Sequence, residues 1–374
     1  MSIILKEVQT KSEFKQFIKF QFKLYQDNPY WVPPLISDEL KTFLKDKNPA
    51  YDFCEAKYWL AYKNNEVVGR IAGIINHKFN EKWNQKSVRF GWIDFIDDEE
   101  VSKALITAVE NWGKEKGLET IHGPLGFTDF DPEGLLIEGY KEVSTFGSIY
   151  NDPYYEKHIE KLNYVKDADW IEFRVDAPTE LNEKVARIAD VVAKRNKLRV
   201  LKVKKAKELL PYAKEIFYLI NDAYRQLYGF VELTDKQIDM YVKAYFGFIK
   251  PEYVPVILDE NNRVAAFGVT MPSLSKAMQK AKGSLFPFGI FHLLGAMKNN
   301  PEIDLYLTAV RVDLQDKGIN SMLMNETAKL IIENKIKFVE TNRELEENSK
   351  IQAQWRFYNT RQHKRRRCYK KNIK

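Results

Sequence analysis

Cysteine and histidine are scarce in this chain of 374 residues, and their scarcity excludes several kinds of site. The 2 cysteines, Cys54 and Cys368, cannot form a disulfide framework or a cysteine-rich metal cluster, and such low use of cysteine is typical of a reducing cytoplasm. The 5 histidines are scattered, and no pair of them has the spacing of metal ligands. We therefore expect no metal centre.

Long hydrophobic runs are also missing. The longest apolar stretch, Leu285 to Met297, is interrupted by two glycines, a proline and a histidine and is too short to cross a bilayer. The N-terminal residues include charge from Lys6 onwards, so we expect no signal peptide. The balance of 44% hydrophobic and 30% charged residues is that of a globular protein, and the length suits two domains. We expect a cytoplasmic protein.

Positive charge is concentrated at one end of the chain. Residues 361–374 contain eight lysines and arginines and no acidic residue, whereas the formal net charge of the whole chain is only +7. The cluster belongs to no recognisable nucleic-acid-binding module, so we expect no nucleic acid partner. Three interpretations stay open: peripheral contact with anionic lipid at the inner face of the membrane, attraction to the phosphates of a ligand, and a solvated terminus.

The strongest functional motif lies between Leu305 and Leu323. An apolar run, Leu305 to Val312, predicts a strand, residues 314–318 predict a turn, and a helical pattern follows. A strand, a turn and a helix N-terminus in this order present free backbone N–H groups to an anion, and Gly318 lets the ligand approach the backbone closely. The turn matches neither the phosphate loop of nucleotide hydrolases nor the dinucleotide-binding fingerprint.

The chain repeats one pattern at long spacing. The pairs Asn64-Asn65 and Asn261-Asn262 each lie between apolar strands, and asparagine tolerates the positive φ of a hairpin turn. A strand and a long helix follow each hairpin: Val88 to Phe95 and Glu100 to Lys116 in the first half, Leu305 to Val312 and Ile319 to Asn334 in the second. A linker helix from Thr179, its expected N-cap, to Lys194 separates the halves. The predicted domains are residues 1–178 and 198–374, with a linker at 179–197.

This order of elements resembles the GNAT superfamily of CoA-dependent N-acyltransferases. Residues 315–320 are similar to the family's pyrophosphate-binding turn, Gln/Arg-x-x-Gly-x-Gly/Ala, except that Asn320 departs at the last position. The resemblance implies an α+β fold of two tandem GNAT-like domains, each a mixed central sheet flanked by helices. It also implies an acyl-CoA or acetyl-CoA donor held by Val310, Val312, Gln315, Asp316, Lys317, Gly318, Ile319 and Asn320.

Motifs in the first half make the resemblance narrower. The segments NPYWVPPL (28–35), GRIAGIIN (69–76), FGWIDFIDDEEVSKAL (90–105) and GPLGFTDFDPEGLLIEGY (123–140) look like a bacterial family of two-domain GNAT-like proteins that includes a bacterial ceramide synthase. Such an enzyme joins a fatty acyl group to a sphingoid amine. The similarity extends from about residue 28 onwards.

The two halves differ at the turn that follows the fourth strand. In the first half this turn is Ile96-Asp97-Asp98-Glu99-Glu100, whose carboxylates would repel a pyrophosphate and are good helix-capping groups. We therefore interpret the first domain as a degenerate one that does not bind CoA and that shapes the acceptor site. The second domain is expected to bind acyl-CoA.

The resemblance also suggests catalytic residues in the second half. Asn348 matches the asparagine that contacts pantetheine in GNAT proteins. Trp355 stands where the family's thiolate-protonating tyrosine is usual, and Tyr358, expected on the same helical face, is its substitute. A carboxylate could take the proton of the attacking amine, and Asp304 and Glu340 are the candidates.

The sequence therefore predicts a CoA-dependent N-acyltransferase that acts on a primary amine, with a long-chain amino alcohol as the acceptor. Direct transfer is expected, because no nucleophile motif such as Gly-x-Ser-x-Gly is present. Two alternatives stay open: a small-molecule N-acetyltransferase, and a non-catalytic acyl-CoA-binding or scaffolding protein. The apolar segment Gly283 to Met297 is either a core helix or a lipid-contacting element.

Overall fold

The chain forms two compact units that exchange segments along the sequence. The computed structural model describes residues 2–374. The first unit contains the chain up to Ile171 together with Leu274–Leu294 and His363–Lys374, and the second contains Glu172–Ser273 and Gly295–Gln362. Two stretches of the second half of the sequence therefore pack in the first unit, an exchange that the predicted boundaries at 178 and 197 did not include.

Strands and helices alternate along the first half of the chain. The strands are β1 (Ile4–Glu7), β2 (Cys54–Lys63), β3 (Glu66–Asn76), β4 (Ser87–Phe95), β5 (Thr120–Gly123), β6 (Leu135–Glu138) and β7 (Val165–Asp176). The helices are α1 (Lys11–Leu24), α2 (Ile36–Phe43), α3 (His77–Lys82), α4 (Glu99–Glu115) and α5 (Tyr154–Lys161).

The second half has its own series of elements. The strands are β8 (Arg199–Val200), β9 (Val256–Leu258), β10 (Val264–Pro272), β11 (Glu302–Val310), β12 (Phe338–Glu340), β13 (Glu344–Leu345) and β14 (Thr360–Asn372). The helices are α6 (Glu183–Arg195), α7 (Leu210–Ala223), α8 (Asp235–Tyr245), α9 (Ser275–Ala281), α10 (Gly289–Lys298), α11 (Asn320–Glu333) and α12 (Ser349–Gln352).

Both predicted hairpins are present. Strands β2 and β3 pair antiparallel, and Asn64 and Asn65 join them with φ of 53° and 63°. Strands β9 and β10 also pair antiparallel, and Asn262 has a φ of 61° in the turn between them. The asparagines occupy these positions because their short polar side chains tolerate the left-handed backbone that the turns require.

The first unit is a mixed sheet with helices packed on it. Its strands lie in the order β1-β2-β3-β4-β5-β14-β7, and the β4–β5 pair is parallel. Helix α4 buries the predicted apolar set, Val101, Leu105, Val109 and Trp112, in the core. Helix α1 contributes its phenylalanines to a second core cluster of the same unit.

The basic C-terminal segment is an internal strand of this sheet rather than a free patch. In β14, Arg366 is fully buried, and Arg365 and Arg367 both donate to the buried Asp169, at 3.0 and 2.8 Å. Further ion pairs join Lys370 to Asp167 at 2.7 Å, Lys371 to Glu110 at 2.9 Å and Lys374 to Glu119 at 2.8 Å. The interpretation of this segment as a solvated terminus was therefore wrong, because five of its basic residues pair with acidic residues distant in sequence and Arg366 is buried.

The second unit also has a mixed sheet, as expected for the α+β class. Strands β8, β9, β10 and β11 follow one another as antiparallel neighbours, and β12 pairs parallel to β11 and antiparallel to the end of β7. Helix α11 packs on the sheet and buries Ile319, Met322 and Leu323 in the unit's core. The predicted helix Ile319 to Asn334 is therefore confirmed to within a residue at each end.

Helix α6 is not a linker. It starts at Glu183, and its N-cap is Asn182, whose side chain accepts from the N–H of Lys184 at 3.1 Å, so the expected cap at Thr179 was wrong. Ala189 and Val192 pack into the cluster that also contains residues of α11. The helix is therefore part of the second unit's core.

We predict that Asp169→Ala destabilises the protein by about 3 kcal/mol or more, because it leaves two guanidinium groups without their buried carboxylate. Burial alone would raise the pKa of Asp169, but the hydrogen bonds from Arg367 and Arg365 lower it. The folded-state pKa thus lies below the unfolded-state value, so the stabilisation is present at neutral pH and is lost as the pH falls through the folded-state pKa.

Urea unfolding at several pH values measures both effects. The matched control is Asp38→Ala, which removes an exposed carboxylate paired with Lys41 and should change stability very little. Equal stability of the two variants at neutral pH would contradict the structural role of the buried network.

Candidate active site

The backbone leaves β11 at Val310 and enters a short 3-10 turn, Val312–Leu314. Arg311 fixes this exit, since its guanidinium donates to Asp259 at 2.8 Å and to Asp313 at 2.7 Å. The predicted strand Leu305 to Val312 therefore ends two residues early, and Val312 lies in the turn with its side chain exposed. Val310 does end the strand.

Residues 315–320 form the turn that precedes α11. Asp316 and Gly318 have positive φ, 60° and 79°, and within the described chain no acceptor binds the backbone N–H groups of residues 316–320. The side chain of Gln315 folds back and donates to the carbonyl of Val310 at 3.2 Å. Unbonded N–H groups at a helix N-terminus favour an anion, and the exposed Lys317 lies beside them. Binding of a pyrophosphate to this turn stays a prediction.

Helix α6 packs against this turn. A Cβ added at Gly318 would lie 3.3 Å from Cγ2 of Val192, and Ile319 is buried in the same cluster. Lys350 of α12 pairs with Asp316 at 2.9 Å from the solvent side. The turn is therefore held on two sides while its N–H groups stay open.

A slot opens along β11 where β12 leaves it. The two strands pair only through Glu302–Asp304 and Phe338–Glu340. The chain then turns away, because the N–H of Thr341 donates to the carbonyl of Phe173 at 2.9 Å. Beyond Asp304, β11 has lost its parallel neighbour and offers a free edge that leads to the turn at 315–320.

Two side chains bind backbone carbonyl groups of this free edge. Asn342 donates to the carbonyl of Tyr306 at 2.6 Å, and the hydroxyl of Tyr224 donates to the carbonyl of Thr308 at 2.8 Å. The register of β11 with β10 shifts at Tyr306, between the partners of Val269 and Thr270, so the strand carries a bulge there. The bulge and the two side chains shape the slot.

The candidate bases come together at the start of the slot. Asp304 and Glu340 are register partners on β11 and β12, and both are buried. The hydroxyl of Tyr306 lies 3.5 Å from Asp304, and burial and this carboxylate together raise the pKa of Tyr306 well above its ordinary value. Two carboxylates beside a slot are suited to proton transfer.

Known proteins share this architecture, and two curated relatives share part of the sequence. Two solved structures superpose on the whole chain at 10% identity: a tandem GNAT protein from the clavulanic acid biosynthesis pathway, with a TM-score of 0.57 over 99% of its chain, and a GCN5-related N-acetyltransferase from Sphaerobacter thermophilus, with 0.53 over 96%. Protein YghO of Escherichia coli K12 is 32% identical over 291 residues, 77% of this chain and 73% of YghO. The chain belongs to the GNAT-fold N-acyltransferases.

A second curated relative is the bacterial ceramide synthase of Caulobacter vibrioides. It is 26% identical over 299 residues, which cover 78% of this chain and 75% of that protein. No protein-family model matches the chain. Membership of the GNAT family makes this protein an acyltransferase and implies an acyl-CoA donor.

The GNAT-type acid candidate Tyr358 lies after the last helix rather than on it. Helix α12 ends at Gln352, a 3-10 helix covers Ala353–Phe357, and Tyr358 has an extended backbone. The expectation that Tyr358 shares a helical face with Trp355 was therefore wrong, because the helix is too short. Tyr358 packs against the core cluster that contains Ile303 of β11, and burial raises its pKa, so its hydroxyl keeps its proton at neutral pH.

Asn348 is the N-cap of α12. Its side-chain oxygen accepts from the N–H of Ile351 at 3.4 Å. The cap fixes the start of the helix whose Lys350 binds the anion turn. A contact between Asn348 and pantetheine stays a prediction.

Sequence reasoning missed Glu344. One carboxylate oxygen accepts from the indole N–H of Trp355 at 2.8 Å, and the other is buried with no hydrogen-bond partner among residues 2–374. Burial raises the pKa of Glu344 to about 7. No sequence signal marked this residue, because it opens the acidic run 344–347 and resembles a solvated loop.

The equivalent slot is closed in the first unit of this GNAT protein. Strands β4 and β5 pair through Ser87–Arg89 and Thr120–His122, and the N–H of Leu125 then donates to the carbonyl of Phe90 at 2.8 Å. A Cβ added at Gly91 would lie 2.3 Å from the carbonyl oxygen of Leu125. Here the chain after the fifth strand follows the fourth strand closely and fills the space that stays open beside β11.

The acidic turn of the first unit has a structural role. Asp98 is the N-cap of α4, accepts from the N–H of Glu100 at 3.0 Å and pairs with Lys63 at 2.6 Å. Asp97 lies 3.0 Å from His158, and Glu99 pairs with Lys161. The capping interpretation is confirmed: these carboxylates bind the protein's own groups.

Three potential metal ligands do meet in the first unit, although none was expected from sequence spacing. His122, Asp167 and Cys368 place one ligand atom each within 4.8 Å of one another. Lys370 binds Asp167 at 2.7 Å, and the charge of Arg89 adds to the burial that lowers the pKa of His122. This positive surrounding opposes a further cation.

Among the helices of residues 2–374, none is both long and apolar enough to cross a membrane.

We predict that Gly318→Asp abolishes CoA binding and leaves the protein folded. The new carboxylate would lie among the N–H groups that should hold the pyrophosphate. Gly117→Asp is the matched control, because Gly117 has a similar φ of 71° and open space around its Cβ position. Calorimetric titration with CoA should show normal affinity for the control; normal affinity for folded Gly318→Asp would refute the assignment of the turn.

We also predict a pH-dependent difference between the wild type and Glu344→Gln. The folded-state pKa of Glu344, about 7, exceeds the unfolded-state value of about 4.3. Its stabilising contribution is therefore complete below the unfolded-state value and is lost as the pH rises through about 7. Glutamine keeps an acceptor for Trp355 and does not titrate.

Thermal unfolding from pH 5 to pH 8, a range of roughly one unit or more on each side of neutral, measures this difference. The variant should gain stability relative to the wild type as the pH rises. Parallel curves for the two proteins would show that Glu344 is ionised across the whole range.

Proposed function

We propose that this protein transfers an acyl group from acyl-CoA directly to the primary amine of a long-chain amino alcohol. The observation that carries the proposal is the slot beside β11, which joins an anion-binding turn at 315–320 to two buried carboxylates, Asp304 and Glu340. The similarity to the bacterial ceramide synthase supports an acceptor with a long chain.

The residues around the slot fit the donor. Backbone N–H groups at 316–320 would bind the pyrophosphate, together with the exposed Lys317. The free edge of β11 would receive the pantetheine arm, with the thioester near the point where β11 and β12 separate. Asn348 and Val310 would border the arm.

Proton movements follow from the side chains present. Asp304 or Glu340 would accept the proton that the amine loses as its nitrogen forms a bond to the thioester carbonyl carbon. Tyr358 would give a proton to the sulfur as the carbon–sulfur bond breaks. The products are an amide and free CoA, and no acyl-enzyme is required.

Donor binding is proposed for the second unit alone. The first unit's slot is filled by its own chain at Leu125, and its turn is acidic. We predict one CoA per chain in calorimetric titration. Two equivalent sites would show that the first unit also binds CoA. A single site that persists in the Gly318→Asp variant would place the donor in the first unit instead.

A product assay tests the acceptor class. Purified protein is incubated with a long-chain acyl-CoA or acetyl-CoA and with sphinganine or a small primary amine, and amides are identified by mass spectrometry. We expect the N-acylated sphinganine to form only from the long-chain donor. An acetylated small amine would favour a small-molecule acetyltransferase, and CoA binding with no amide would favour a non-catalytic acyl-CoA-binding protein.

The base is tested separately from donor binding. The variants are Asp304→Asn and Glu340→Gln. The one that removes the base should have a kcat lower by roughly a hundredfold or more. Both should bind CoA with unchanged affinity. Asp46→Asn is the matched control, because Asp46 is an exposed carboxylate of the first unit whose partner is Lys47. Normal kcat for both slot variants would exclude these carboxylates.

A long-chain acceptor resides in a lipid bilayer, so the proposal includes peripheral contact with an anionic membrane. Arg365, Arg366 and Arg367 do not supply that contact, because they are buried or paired inside the first unit.

A further inference from the structure

The first unit carries a concentrated exposed apolar surface. Phe286, Phe288, Phe291 and Leu294 are 78%, 72%, 66% and 54% exposed. No other stretch of nine residues in the described chain contains as many exposed large apolar side chains. Scattered apolar residues are ordinary on a protein surface, whereas a contiguous group marks an interaction site.

The loop that presents these rings is firmly held at its base. Gly283 has a φ of 79°, and a Cβ there would lie 2.5 Å from the ring of Phe22. Its carbonyl accepts from the N–H of Ile36 at 3.0 Å. The close approach to Phe22 and the positive φ explain why this position is glycine.

Helix α9, which precedes the loop, is held as well. Gln279 donates to the carbonyls of Pro29 and Trp31, at 2.8 and 3.0 Å. These carbonyls belong to the NPYWVPPL motif of the first half. The motif thus has a positioning role that its sequence did not reveal.

The loop continues into α10 with its apolar groups still outward. Gly289 and Leu293 of α10 are buried, while Phe291 and Leu294 point to solvent. The interpretation of Gly283 to Met297 as a plain core helix was therefore wrong for its phenylalanines. The rings are therefore exposed in the folded protein.

Charge around the rings has one sign. Residues 274–294 contain three exposed lysines, Lys276, Lys280 and Lys282, and no acidic residue. On α2, whose residue Ile36 bonds to this loop, Asp38 is paired with Lys41 at 2.9 Å. Aromatic and aliphatic side chains rimmed by lysines suit the interface of a bilayer that contains anionic lipid.

We propose that residues 282–294 dock this protein on an anionic lipid surface, with the three phenylalanine rings inserted among the lipids and Lys280 and Lys282 at the headgroups. This deepens the proposed function, because it names the surface from which a long-chain acceptor would be reached. It does not need acyl transfer to be correct, since vesicle binding is measured without donor or acceptor.

The test is co-sedimentation of the full chain with vesicles of phosphatidylcholine and phosphatidylglycerol in equal parts, and with vesicles of phosphatidylcholine alone. The combined variant Phe286→Ser, Phe288→Ser and Phe291→Ser should bind anionic vesicles more weakly by roughly tenfold or more. Ile4→Ser, Val165→Ser and Val191→Ser together are the matched control, because they also remove three exposed apolar side chains.

A second variant separates charge from insertion. Lys280→Gln with Lys282→Asn should remove the preference for anionic vesicles, and asparagine suits position 282 because Lys282 has a φ of 48°. Wild-type binding should weaken as salt rises.

Several results would overturn the proposal. Wild-type protein that ignores anionic vesicles at low salt would do so, and so would equal binding by the phenylalanine variant and its control. Light scattering that shows a wild-type dimer and a monomeric phenylalanine variant, without vesicle binding, would assign the surface to a second copy of the chain. Unchanged thermal unfolding of the variants shows that they are folded.

Discussion

The separation of β12 from β11 is the constraint on which the active unit depends. Three residue pairs hold the strands together, and a single backbone hydrogen bond, from Thr341 to Phe173, then directs the chain to the other neighbour. In the first unit the chain instead returns along β4, where the N–H of Leu125 donates to the carbonyl of Phe90. Two units with a similar order of elements thus differ in the path of a few residues after one strand, and residue composition does not encode that path.

Local chemistry explains which parts of the fold were predictable. The Asn64-Asn65 and Asn262 turns, and the apolar faces of α4 and α11, were predictable because each depends on neighbouring residues and a single period. The place of the C-terminal segment was not. The segment can form a strand because Asp169, Asp167, Glu110 and Glu119, all distant in sequence, pair with five of its eight basic residues. Net charge over a sequence window describes a surface only when the fold leaves that window exposed.

The same distinction applies to the active site. The anion turn at 315–320 is contiguous, so its motif and glycine could be recognised, and the pairing of Asp304 with Glu340 agrees with their places on neighbouring strands. Tyr224, Asn342 and Glu344 could not be recognised, because their importance arises from backbone groups and a tryptophan that only the tertiary structure brings near. Tyr358 was expected on a helix that ends before reaching it.

The exchange of segments between the units has a consequence for biosynthesis. A ribosome releases residues of the first unit early, yet β14, which lies between β5 and β7, emerges after the whole second unit. The N-terminal unit cannot complete its sheet during synthesis. Asp169 has no partner from β14 until Arg365 and Arg367 have been made. The usual order, in which the N-terminal domain folds first, is therefore reversed here: the half made first finishes last. A chain truncated near residue 360 would lose a central strand of the N-terminal unit while keeping the anion turn of the second.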